Sequence, residues 1–78
     1  MDKYYKEIKK IIIQKSGLEP EEINEESYFG DDLNIGHMEL LDILTAIEEE
    51  YNIEFEENEK EEFETIKELV DLVIEKIE

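Results

Sequence analysis

The chain has 78 residues, a formal net charge of −17 and no cysteine. That length suits one small domain, here taken as residues 1–78, with a modest core. The missing cysteines exclude disulfides and thiolate metal sites, and no apolar run approaches the ~20 residues of a membrane span. So acidic a surface repels nucleic acid and anionic lipid and draws in basic protein surfaces. Every basic residue is a lysine, so bidentate phosphate recognition by arginine is not expected. The stretch Met1-Asp2-Lys3-Tyr4 lacks the apolar segment of a signal peptide, and a cytoplasmic monomer is expected. Hydrophobic residues make up 40% of the chain and recur at helical spacing, which argues for folding over disorder.

The first predicted helix runs from Asp2, a candidate N-cap, to about Ser16. Tyr4, Ile8, Ile11 and Ile12 share one face, with lysines opposite. Gly17 supplies a stop, and Leu18 turns the chain back toward the core. Residues 17–36 form a long connection. Glu19-Pro20-Glu21-Glu22 is a candidate helical turn with Pro20 first. Ile23, Phe29, Leu33 and Ile35 are spaced to pin this loop onto a core.

The second predicted helix runs from His37 to Tyr51. Leu40, Ile43, Leu44, Ile47 and Tyr51 form one apolar stripe. Met38, Leu41 and Thr45 form a second, which is either core or a docking surface ringed by acids. Asn52-Ile53-Glu54-Phe55 is a connector with two apolar anchors. A short third helix is predicted over Asn58 to Glu62. Thr65, with Glu68 three residues on, makes a capping box for a last helix ending near Glu78. Its predicted inner face is Ile66, Leu69, Val70, Val73 and Ile77. The glutamate-rich tracts read as solvated faces.

The order of these segments carries a resemblance. Ser27-x-Phe29-x-x-Asp32-Leu33, then two spacer residues, then Glu39-Leu40-Leu41-Asp42-Ile43-Leu44 and the ending Ala46 to Phe55 resemble the acyl carrier proteins and their peptidyl and D-alanyl relatives. Phe63-Glu64-Thr65-Ile66 with Leu69 and Val70 resembles the start of that family's last helix. The resemblance implies an all-α four-helix bundle: three main helices, one short helix, and a long loop between the first two. In that family an Asp-Ser-Leu or Asp-Ser-Met triplet opens the second helix, and its serine carries 4′-phosphopantetheine. Here the three positions read Gly36-His37-Met38.

Enzymatic chemistry finds no support in the residues. There is one histidine, no cysteine and no glycine-rich phosphate loop. Abundant carboxylates are not a pair with split environments. Asp32-x-Asn34-x-Gly36 lacks the turn glycine and closing glutamate of a calcium loop, so no metal site is expected. As written, the chain is expected to bear no cofactor; 4′-phosphopantetheine is expected only of a parent with serine at position 37. The resemblance implies docking of basic surfaces, such as those of carrier-protein-dependent enzymes, on Gly36, Met38, Glu39, Leu41, Asp42, Thr45, Glu48 and Glu49. Two other readings stay open: a variant of a true acyl, aminoacyl or peptidyl carrier that lacks its serine, and an acidic regulatory adaptor unrelated to thioester chemistry.

Overall fold

The computed structural model describes residues 2–78. Three α-helices follow one another: α1 (Asp2–Ser16), α2 (His37–Tyr51) and α3 (Ile66–Ile77). Two single 3₁₀ turns, Pro20–Glu22 and Glu59–Glu61, lie in the connections. The Cα radius of gyration is 11.2 Å, what compact packing gives a chain of this size. The all-helical bundle expected from the sequence is therefore present.

Local chemistry sets the ends of the helices. Gly17 adopts φ +79°, and its N–H donates to the Ile13 carbonyl at 2.9 Å, which stops α1. Asn52 ends α2 in the left-handed region at φ 57°, a conformation asparagine tolerates. Thr65 accepts from the Glu68 N–H at 3.2 Å while the Glu68 carboxylate accepts from the Thr65 N–H, so the expected capping box opens α3. The expected capping role of the Asp2 side chain lies outside the described residues.

The core is one cluster. Ile8 and Ile12 come from α1, Ile43, Leu44 and Ile47 from α2, and Ile66, Leu69, Val70 and Val73 from α3. Ile23, Phe29, Leu33 and Ile35 of the long loop are all buried in it, as their spacing predicts. Phe29 and Phe63 meet edge to face at 5.6 Å. The loop is also held by backbone bonds. The Phe29 N–H donates to the Glu64 carbonyl, and the Ile66 N–H donates to the Ser27 carbonyl. These bonds fix the approach to α2 against the start of α3.

Two details differ from the sequence expectation. The third helix is a single 3₁₀ turn, because a run of glutamates with no apolar face has nothing to drive a longer helix. Ile77 is exposed rather than internal, since it lies on the last turn of α3, beyond the core's reach.

Candidate functional site

The site is built at the N-terminal end of α2. The chain enters it through a tight loop in which the Asp32 carboxylate accepts from the Tyr28 N–H at 2.8 Å. Ile35 is buried one residue before Gly36, so the start of the helix is rigidly placed. Gly36 is the N-cap, in extended backbone at φ −79° and with no side chain to cap. Its carbonyl accepts the first helical bond, from the Leu40 N–H at 2.9 Å. His37 is the first helical residue and is exposed.

The second stripe of α2 divides on folding. Met38 is 79% exposed and Thr45 is exposed. Leu41 is half-buried and stays outside the core cluster. Thr45 Oγ1 donates to the Leu41 carbonyl at 2.9 Å, which satisfies the hydroxyl within its own helix. Asp42 and Glu49 are exposed, and Glu39 is half-buried. Glu48 is also half-buried, and its carboxylate accepts from the Phe55 N–H at 2.8 Å. That bond gives Glu48 a structural task, fastening the connector to α2.

A cavity of about 270 Å³ opens beside His37. One wall is Leu40, Leu41 and Leu44 of α2; the other is Glu57, Lys60 and Glu61 from the acidic segment before α3. Sequence reasoning missed these three, because a glutamate-rich run looks solvated whichever element it packs beside. Lys60 pairs with Glu57 at 3.7 Å. Glu59 next to it accepts from the Glu56 N–H at 2.7 Å and pairs with Lys76 of α3 at 2.8 Å. The Glu56 N–H, then Lys76, hold the Glu59 carboxyl below the usual range, and Glu59 raises the Lys76 ammonium in turn. Among the described residues no three His, Cys, Asp or Glu side chains converge as metal ligands would.

The serine and threonine hydroxyls lie elsewhere. Ser27 is 4% exposed and accepts from the Asn24 N–H. Ser16 donates to the Ile12 carbonyl at the end of α1. Thr65 caps α3. Only Thr45 is exposed, two turns along α2 from His37. No described helix is long and apolar enough to cross a membrane.

A family model described as a phosphopantetheine attachment site matches residues 6–73. The chain is 36% identical over 73 residues to the acyl carrier protein of Buchnera aphidicola subsp. Baizongia pistaciae, covering 94% of each. It is 32% identical to that of Wolinella succinogenes, over 85% of this chain and 87% of the relative. It is 31% identical to that of Chlamydia caviae, over 82% and 83%. Phosphopantetheine is the cofactor of this family, and its members work with carrier-protein-dependent enzymes. With the helical bundle, the placed start of α2 and matches along nearly its whole length, the chain belongs to the acyl carrier protein family, whose members are carriers rather than enzymes.

Proposed function

We propose that residues 1–78 form an acidic acyl-carrier-protein-like domain that docks α2 onto basic surfaces of carrier-protein-dependent enzymes and is not itself loaded. His37 carries this reading: an exposed imidazole stands where the resemblance puts the attachment serine. Attachment needs a hydroxyl to attack the pyrophosphate of coenzyme A, and imidazole forms no comparably stable phosphodiester. The residues present therefore do not fit the cofactor. Ser16 and Ser27 are engaged within the fold, and Thr45 lies two turns away. The docking surface has Met38 and Leu41 at its centre, with Gly36 and Thr45 on the same side. Glu39, Asp42, Glu48 and Glu49 surround it. The acids set association rate and salt dependence, and the apolar centre sets lifetime. The domain acts as a cytoplasmic monomer.

The test is mass spectrometry after incubation with coenzyme A and a broad-specificity phosphopantetheinyl transferase. The expected result is no mass increase. His37→Ser with Gly36→Asp should accept one pantetheine arm. Position 36 allows the aspartate, because φ is negative and an added Cβ meets nothing within 4 Å. Stoichiometric loading of the unaltered chain would overturn the reading. Failure of the double variant would show that the transferase does not recognise this α2 surface.

A further inference from the structure

We propose that the outer face of α1 docks an acidic helix of another protein through the lysine stripe Lys3, Lys6 and Lys10. These three are exposed and fall at i, i+3 and i+7, so they share one face over about 10 Å of helix. That face lies opposite Ile8 and Ile12, which are buried. Gln14 continues it by one turn, exposed and neutral. Glu7 stands beside the stripe but is drawn off it, because its carboxylate accepts from the Tyr51 hydroxyl of α2. Among the described residues none of the α1 lysines joins an ion pair. Lys3 Nζ lies 5.8 Å from the Tyr4 ring centroid, and Lys9 Nζ, on the flank, lies 5.7 Å from that of Tyr5. Cations held over rings lose less freedom on docking. Tyr5 and Ile13, half-buried on the same flank, supply an apolar margin.

Charge complementarity selects the occupant. The chain's net charge is −17; five lysines and two acids put residues 2–16 at +3, which leaves −20 for the rest. A nucleic acid or an anionic lipid surface reaches past α1 and meets that −20, so it is repelled. An anionic partner no wider than the stripe meets lysine alone. A helix is that narrow, and carboxylates at i, i+3 and i+7 of an antiparallel helix lie opposite the three lysines. The spacing occurs on α3 of this chain, where Glu68, Asp71 and Glu75 are exposed on one face. A second copy is nevertheless a poor occupant, because it brings its own net charge of −17. Docking on α1 is independent of whether α2 docks basic surfaces or His37 bears a cofactor.

The probe is a synthetic alanine-rich helical peptide of about 17 residues with glutamates at i, i+3 and i+7. A control peptide has the same composition with the glutamates spread around the helix. Each is titrated into the isotope-labelled full chain at ~0.15 M salt and followed by amide resonances. The striped peptide should shift the amides of α1 and leave those of α3 in place. Lys6→Gln with Lys10→Gln should weaken its binding about tenfold, at roughly threefold for each exposed ion pair. The Ile43 and Ile47 amides should keep their positions in that double variant, so the loss is of binding and not of fold. Lys15→Gln should bind as the unaltered chain does, since Lys15 lies off the stripe. At ~0.01 M salt the Debye length of about 30 Å takes in the whole molecule, 29 × 25 × 19 Å, and its net charge should suppress binding. Equal shifts with the two peptides, or none with the striped one at ~10 mM, would overturn the proposal. Capture of the unaltered chain, but not the double variant, by phosphatidylserine vesicles or duplex DNA would overturn the choice of an acidic helix. A dimer of the chain that the double variant loses, read by sedimentation, would give the face to a second copy and overturn it as well.

Discussion

Leu41 and Leu44 stand one helical turn apart on α2 and meet different surroundings. Leu44 is 2% exposed, inside the core cluster. Leu41 is half-buried on the cavity wall. Truncating a fully enclosed leucine removes its burial and leaves a void, so Leu44→Ala should cost about 2–5 kcal/mol. Leu41→Ala opens an existing recess to water and should cost about 1 kcal/mol. Urea midpoints of the two variants check this. If the two losses match, Leu41 is core and cannot be the centre of a docking face. Neighbouring His37 and Met38 are exposed, so substitutions there report on partners and modification rather than folding.

At the scale of elements, α1 and α2 are tied by more than isoleucines. The Tyr51 hydroxyl donates to Glu7 Oε1 at 2.5 Å, and the Tyr4 ring meets Tyr51 edge to face at 5.9 Å. Partial burial, then the bond and charge of Glu7, raise the Tyr51 hydroxyl above its ordinary value of 10.0. The protonated donor is thus favoured in the folded protein. Its contribution is complete below the unfolded value and is lost as pH rises through the higher folded one. Tyr51→Phe should cost about 1 kcal/mol at pH 7, allowing for solvent screening of a part-exposed bond. That difference should persist at pH 9 and shrink above the unfolded value, read from urea midpoints at each pH. A difference unchanged at pH 11 would show that the tie does not depend on the Tyr51 hydroxyl proton. Glu7 is an α1 residue 44 positions before Tyr51, and nothing in helical spacing points to it.

Across the whole molecule, charge is segregated. The three lysines outside α1 each join an ion pair, while the five on α1 make none among the described residues. Two of those five lie over tyrosine rings instead, Lys3 over Tyr4 and Lys9 over Tyr5. Unrelieved repulsion among the acids should make stability rise with salt. At ~0.15 M the Debye length of about 8 Å is comparable to the roughly 8–10 Å that usually separates packed helix axes. Moving from very low salt to that value should raise the melting temperature by roughly 5 °C. A flat response would mean that the charges are already compensated. What could be read from the order of residues is what local chemistry and periodicity control. Gly17 at the end of α1, the Thr65–Glu68 box and the loop pins Ile23, Phe29, Leu33 and Ile35 were all legible, because each acts within a few residues or through its own apolarity. The family resemblance was legible for the same reason, in the order of such short segments. Packing in three dimensions was needed to show that Met38 and Thr45 face solvent, that Leu41 lines a cavity, that Glu48 fastens Phe55, and that Glu59 reaches Lys76. Each of these depends on where a distant segment comes to rest, and a run of glutamates carries no periodic signal that says which one will meet a lysine.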